Sequence, residues 1–538
     1  MLEIMKNHVI ELEYLSKCRT YPDPFDQVEF GAQITDPDGK EAYFPGFWAG
    51  GDRWKIRYSS DKTGVHKFRT ICSDKENKDL SDKCGEIKIK EYDGTNSLYL
   101  HGGIKGDRRG KYLVHSDGTP FFWLGDTWWM GLTKRLKWPE GFGELAHDRV
   151  KKGFSVIQIV AGLYPDMIPF DQRGANETGL PWEEGYKSIN AEYFNEADKK
   201  IAGLVELGLV PCIVGCWGFF MDHAGIEIIR KHWGYLLARY GAYPVVWCMA
   251  GEALMPFYTD TDRSEEHLKR IRAEWTIITR ELKENDPFHR LITIHPTDYG
   301  HKMVDDESLL DLDMLQTGHS GYNSLSRTVS MVREAVSRDP GMPVINSEVC
   351  YEGICGTSYQ DIQRFLFWSC VLSGACGHTY GANGIWQLNS RKEPYGPSPH
   401  GATWGNTPWE EAYKLPGSFQ SGIGRKLLER YRWWKFKPHP EWVEDHANSE
   451  NKYIGTYCAG IPGEARIIFK PFFAGFSWGR ILVKALESDV EYRAYYFDPV
   501  TGEEYDQGNV QPDKEGNWRA GNITIFQDWI LVLEKSVK

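Results

Sequence analysis

Between about residue 110 and residue 435 the chain alternates short apolar runs with amphipathic stretches, and few folds accommodate that alternation. The apolar runs are Phe121 to Gly125, Phe154 to Ala161, Leu209 to Gly215, Pro244 to Gly251, Arg290 to His295, Met314 to His319, Pro343 to Glu348 and Ala375 to Tyr380. Most are rich in β-branched and apolar residues without a polar alternation, as parallel strands covered on both faces are. Helical periodicity fills several of the gaps, at Phe142 to Lys152, Ala191 to Leu207, Ala224 to Tyr240 and Glu265 to Glu284. Eight βα units in one contiguous stretch predict a (β/α)8 TIM barrel, an α/β fold.

The flanks read differently. Val28 to Thr35 alternates with period two and stops at the turn Asp36-Pro-Asp-Gly39; Arg53 to Ser59 and Gly64 to Ile71 alternate again. Near the C-terminus, Ala465 to Lys470, Gly479 to Lys484, Tyr492 to Pro499 and Trp529 to Leu533 look like strands, with a turn signal at Asp498-Pro-Val-Thr-Gly502. Three domains are expected: an N-terminal antiparallel β-sandwich over 1–98, the barrel over 99–436 and a C-terminal β-sandwich over 437–538.

Barrels of this kind keep their chemistry where strands end and βα loops begin. Glu252 closes the fourth run and Glu348 the seventh, so the two carboxyls are expected to face each other across the mouth. A glycosidic bond is cleaved by such a pair, one protonating the leaving oxygen and the other attacking or activating water. Glu252 is the expected acid/base and Glu348 the expected nucleophile. Further candidates for substrate contact are Asp126, His295, His319 and Tyr380 at strand ends, and Trp128, Trp129, Trp217 and Trp386 as stacking walls. For any one of these tryptophans core packing is the better expectation. The loop Tyr164 to Tyr186 is long enough to cover the mouth.

Composition narrows the classes. A net charge of −12 argues against nucleic acid or an anionic membrane as partner. No apolar run approaches the roughly 18 residues needed to span a bilayer, and the N-terminus lacks a signal-peptide core, so a cytoplasmic location is expected. Eleven scattered cysteines without a Cys-x-x-Cys suggest neither a disulfide framework nor a zinc ribbon. There is no His-x-His, no His-Glu-x-x-His, no phosphate loop and no Gly-x-Ser-x-Gly, so no metal or organic cofactor is expected. A homo-oligomer is left open.

Three longer motifs carry a family resemblance: Trp123-Leu-Gly-Asp-Thr-Trp-Trp129, Pro343-Val-Ile-Asn-Ser-Glu-Val-Cys-Tyr-Glu-Gly353 and Gly374-Ala-Cys-Gly-His-Thr-Tyr-Gly-Ala-Asn-Gly-Ile-Trp386. They resemble the apiosidase-like glycoside hydrolases. Asp23-Pro-Phe25, Phe47-Trp48 and Trp54 to Arg57 look like the small β-sandwich that often precedes such barrels. The C-terminal segment is similar to a following β-sandwich sometimes labelled collagen-binding. The resemblance implies Glu348 as nucleophile and residue 252 as acid/base. It also shows a departure: relatives often carry Asp after Trp-x-x-Gly-Gly, whereas this chain has Trp247-Cys-Met-Ala-Gly-Glu252, a proton donor one methylene longer. The expectation is a retaining, exo-acting hydrolase of an oligosaccharide or glycoside. A carbohydrate-binding barrel without catalysis and a glycan lyase are the alternatives.

Overall fold

The computed structural model describes residues 1–260, 264–447, 452–472, 480–522 and 525–536. Its centre is an eight-stranded parallel sheet, numbered here β1 (Trp123–Thr127), β2 (Val156–Leu163), β3 (Val210–Cys216), β4 (Val246–Cys248), β5 (Ile292–Thr293), β6 (Asp313–Gln316), β7 (Val344–Glu348) and β8 (Gly377–Tyr380). The strand order β5-β4-β3-β2-β1-β8-β7-β6 wraps the sheet into a nearly closed barrel. The seam between β5 and β6 is bridged by Asp311 N–H donating to the Ile292 carbonyl (2.8 Å) and by the Thr293 hydroxyl donating to the Leu312 carbonyl (2.8 Å).

The strands follow from burial on both faces: every residue of β2 and β3 is buried. Most helices cover the barrel with an apolar stripe, whereas Gln360–Leu372 is buried nearly all round. In Ala191–Glu206 the buried positions Tyr193, Phe194, Ala197, Ile201 and Leu204 recur every three or four residues, and Asn190 caps the helix by accepting from Tyr193 N–H.

Three details depart from the sequence expectation. The first barrel strand starts at Trp123, because Phe121 pairs instead with Leu113 in a small antiparallel sheet just before the barrel. The stretch Ala224 to Tyr240 is two helices, Phe220–Ala224 and Ile226–Tyr240, parted by Gly225 at φ 82°. The fifth βα unit has no α-helix: β5 and β6 are joined by the 3-10 turns Gly300–Met303 and Glu307–Leu309. There Asp306 turns its side chain back onto Ser308 N–H, the local bonding by which Asp competes with a helix.

The N-terminal region is one seven-stranded sheet folded on itself. Strand Glu41–Trp48 makes the fold, pairing with Phe30–Thr35 through residues 41–45 and with Arg53–Tyr58 through Gly46, Phe47 and Trp48. Phe30, Ile34, Trp54, Ile56 and Ile87 fill the sandwich-like interior. One pairing is parallel, Leu2–Met5 against Cys84–Lys90. The region docks on the barrel through Arg57, which pairs with Asp198 and donates to the Arg239 carbonyl (2.8 Å).

The C-terminal region is a six-stranded antiparallel sheet covered on one face by a two-stranded ribbon, Leu482–Val483 with Trp518–Arg519. The second layer is therefore much smaller than a full sandwich. Of the expected strand Gly479 to Lys484, Gly479 lies outside the described residues. The sheet's other face packs on helix Gln360–Leu372, where Trp368 stacks on Phe469 and Arg364 pairs with Asp528 at 2.7 Å. No helix among the described residues is long and apolar enough to cross a membrane.

Candidate active site

At the C-terminal ends of the strands a cavity of about 300 Å³ is lined by Glu252, Glu348, Trp129, Trp217, His319 and Trp386, among others. Glu348 is the last residue of β7 and Gln316 the last of β6, and the two are register partners. Glu252 sits four residues beyond β4. The intervening chain stays bonded on both sides, Met249 N–H to the Thr293 carbonyl and Gly251 N–H to the Cys216 carbonyl, while turning toward the cavity. Glu252 itself takes φ 46°, a left-handed conformation that a non-glycine residue holds only where its surroundings fix it.

One amide joins the carboxyls. Gln316 Nε2 donates to Glu252 Oε1 and to Glu348 Oε1, each at 2.9 Å. Those two oxygens are therefore no more than about 5.8 Å apart, twice 2.9 Å. Trp217 Nε1 donates to Glu252 Oε2 at 3.1 Å. His319 Nε2 bonds Glu348 Oε1 at 2.7 Å, and His295 Nε2 stands 3.3 Å from Oε2 without hydrogen-bond alignment. His295 is oriented in turn by Nδ1 against the Ser347 hydroxyl, 3.1 Å away.

The surroundings split the two acids. For Glu252, burial and then the neighbouring Glu348 charge push the carboxyl above its ordinary value, against smaller opposing contributions from Gln316, His295 and Trp217. For Glu348, burial also pushes upward, but His295 and His319 outweigh it and hold the carboxyl well below the carboxylate range. One group is poised to carry a proton and the other to remain charged. Three buried polar atoms around Glu348 lack a hydrogen bond among the described residues: His319 Nδ1, and Glu348 Oε2 and His295 Nε2, which meet each other only as a charge contact at 3.3 Å. Such atoms are costly in a closed interior and ordinary at a site that receives a polar ligand.

The walls are aromatic. Trp129 meets Trp217 edge-on at 5.4 Å and donates through Nε1 to the Tyr351 hydroxyl at 3.0 Å. Tyr351 stacks on Trp386 at 5.9 Å. Three loops knit together over the carboxyls. The Tyr258 hydroxyl accepts from Asp166 N–H (2.5 Å), the Tyr395 hydroxyl bonds the Pro165 and Asp166 carbonyls (3.3 Å each), and His400 packs edge-on against Tyr258.

Of the residues expected from sequence, Glu252, Glu348, Trp129, Trp217, His319 and Trp386 meet at this cavity, and His295 touches it through Glu348. Asp126, Trp128 and Tyr380 do not. Asp126 is fully buried, accepting from Arg149 Nε (2.6 Å) and Trp128 Nε1 (2.6 Å), and the Tyr380 hydroxyl donates to Glu352 at 2.6 Å. Of the loop Tyr164 to Tyr186, Pro165 and Asp166 line the cavity, whereas Trp182 turns away to pack against Phe25 of the N-terminal region. Sequence reasoning missed Gln316, Tyr351, Asp166, Tyr258, His400 and Trp404. Gln316 lay within the predicted run Met314 to His319, Asp166 within the loop Tyr164 to Tyr186 and Tyr351 within the motif Pro343 to Gly353, but Tyr258, His400 and Trp404 carried no signal. Among the described residues no cluster of His, Cys, Asp and Glu has the spacing to hold a metal ion.

Comparison with known proteins bears on the family and the fold. The apiosidase-like catalytic domain matches residues 107–435, and a domain of unknown function, DUF5060, matches residues 3–73. No curated protein matches. Among solved structures, one described as a glycoside hydrolase aligns with a TM-score of 0.67 at 20% identity, covering 83% of this chain and 99% of its own. A glycoside hydrolase family 5 structure from Bacteroides vulgatus ATCC 8482 aligns at 0.67 and 19% identity, over 81% of this chain and 94% of its own. A second structure from the same bacterium aligns at 0.68 and 16% identity over 100% of both chains. At these identities the likeness is one of fold.

Proposed function

The chain belongs to the apiosidase-like family and is a glycoside hydrolase, and from that premise we propose that it acts by double displacement on a terminal sugar. Glu348 attacks the anomeric carbon to form a covalent glycosyl-enzyme while Glu252 donates its proton to the departing oxygen. Glu252, now ionised, then takes a proton from water as the water attacks the same carbon, and Glu348 leaves. Configuration is retained by two inversions.

The observation that carries this reading is the Gln316 bridge. Retaining enzymes hold their carboxyls about 5–5.5 Å apart, whereas inverting ones leave about 6.5–9.5 Å for a water. An upper bound near 5.8 Å between the bridged oxygens favours the shorter class. The opposed shifts of Glu252 and Glu348 support the same assignment of acid and nucleophile. Removal of a terminal unit is supported by the three loops that meet over the carboxyls and wall the cavity. A lyase acting on a uronic acid would need a cation for the substrate carboxylate, and among the described residues neither Lys nor Arg lines the cavity.

The test follows the anomeric proton by NMR during cleavage of aryl glycosides and short plant oligosaccharides. The first-formed product is expected to keep the substrate's configuration, and Glu348→Ala is expected to abolish turnover. An inverted first product would refute the nucleophile assignment.

A further inference from the structure

The cavity holds a third carboxylate that the proposed chemistry does not use. Asp166, in the loop after β2, is 3% exposed and lines the cavity. It adopts φ 57°, and its backbone is clamped on both sides, N–H to the Tyr258 hydroxyl and carbonyl to the Tyr395 hydroxyl. Oδ1 accepts from the Ser398 hydroxyl, which is itself fixed by Trp404 Nε1 at 2.9 Å. Oδ2 has no partner among the described residues. The guanidinium of Arg173 is engaged elsewhere, with Asp171 at 2.7 Å and with the Tyr395 and Pro397 carbonyls. Strained backbone, four supporting contacts and one idle oxygen describe a group held ready for a donor that the protein does not provide.

We propose that Asp166 determines the specificity of this cavity, accepting hydroxyl hydrogen bonds from a neutral sugar and rejecting uronic acids. The inference rests on the cavity being a sugar site, not on the hydrolytic mechanism. A sugar hydroxyl donates to a carboxylate and relieves the cost of an unpaired buried oxygen. Burial pushes the Asp166 carboxyl upward, against smaller lowering contributions from Ser398, Trp404, Arg173 and His400. A uronate would bring a second negative charge to a wall where, among the described residues, the cationisable side chains are His319 and His400.

The test is a binding measurement in the Glu348→Gln protein, following tryptophan fluorescence, since Trp129, Trp217, Trp386 and Trp404 all line the cavity. The ligands are methyl glycosides of neutral pentoses and hexoses, their deoxy analogues, and methyl glucuronide. Adding Asp166→Asn is expected to weaken the best neutral ligand by about 10- to 100-fold, the worth of a charged hydrogen bond. One deoxy analogue should bind the Asp166 protein as weakly as its parent binds Asp166→Asn, a readout that misfolding cannot mimic. Affinity changed less than twofold by Asp166→Asn, tighter binding of the glucuronide than of its neutral counterpart, or no binding by any ligand would each overturn the proposal. Turnover by the protein with Glu348 intact separates the two readings. Asp166-dependent binding without cleavage leaves this proposal standing and removes the mechanism; cleavage indifferent to Asp166→Asn does the reverse.

Discussion

Two carboxylate clusters stand beside each other at the strand ends of the barrel, and they are built to opposite plans. In the cavity, Glu252 and Glu348 share one amide donor, and Glu348 Oε2, His295 Nε2 and His319 Nδ1 make no hydrogen bond among the described residues. Behind it, Asp126 on β1 is saturated: Oδ2 takes Arg149 and Trp128, and Oδ1 takes Thr127 N–H. Glu352, just past β7, takes the Tyr380 hydroxyl and the Gly417 N–H at the start of helix Pro416–Leu428. Arg149 lies over the rings of Phe154 and Tyr380 and ties the group together. The carboxylates are alike; what differs is whether their bonding capacity is spent inside the protein, even though Arg149 Nη2 in the second cluster makes no hydrogen bond among the described residues. Spent, it fixes β1, β7 and β8 against their helices. Unspent, it is available to a ligand, at a cost in stability that the saturated cluster offsets.

Breaking the open cluster should cost rate and spare stability. Glu252→Gln keeps the shape of the side chain but only one acceptor oxygen for the Gln316 and Trp217 donors, and it removes the transferable proton, so kcat for an unactivated glycoside is expected to fall by roughly 10²- to 10⁴-fold. The pH profile sharpens the point. In the parent, activity is lost on the acid side when Glu348 is protonated and on the alkaline side when Glu252 loses its proton. With Glu348 held low and Glu252 raised, the plateau extends beyond the ordinary carboxylate range on both sides. The two limbs belong to the coupled pair. Glu252→Gln should erase the alkaline limb and keep the acid one; a variant with both limbs intact would refute the assignment.

Breaking the closed cluster should do the converse. Asp126→Asn leaves Arg149, wholly buried, with Asp148 as its remaining anionic contact at 2.6 Å. Loss of half of such a pair is expected to cost about 3 kcal/mol in denaturant unfolding. Activity per folded molecule should stay close to that of the parent. A large fall in kcat without loss of stability would return Asp126 to the substrate site.

The contrast explains what the sequence could and could not reveal. Continuous apolar runs such as Val156 to Leu163 made the strands legible, because burial on both faces leaves no room for polar alternation. Glu348 was legible because it ends such a run. Asp126 and Tyr380 end runs too, yet a strand end does not say which way a side chain points. In β1 and β8 alternation settles it: Trp123 and Thr379 bond each other inside the barrel, so Asp126 and its register partner Tyr380 point outward to the helices. That parity is invisible without one inward residue as a reference. The roles of Gln316 and Asp166 were illegible for a different reason, since each acquires its role from chain distant in sequence: Glu348 lies 32 positions away from Gln316, and Ser398 lies 232 positions away from Asp166.

The smallest expected effect is a pH dependence of folding confined to the closed cluster. Burial pushes the Glu352 carboxyl up to about 7 from an ordinary 4.5, despite the Tyr380 and Gly417 donors that pull it down. Between those two values the native state holds a proton that the unfolded chain has released, so stability falls as pH rises. The contribution is complete below about pH 4.5, gone above about pH 7, and worth no more than about 3 kcal/mol. Glu352→Gln removes the titration, at a cost of about 1 kcal/mol because the amide offers one acceptor oxygen to two donors. Urea unfolding at pH 5, 6, 7 and 8 is therefore expected to show the variant weaker than the parent at pH 5 and converging on it, or passing it, by pH 8. Parallel stability curves across that window would mean that Glu352 is ionised throughout in the folded protein, with the Gly417 N–H and nearby Arg149 outweighing burial.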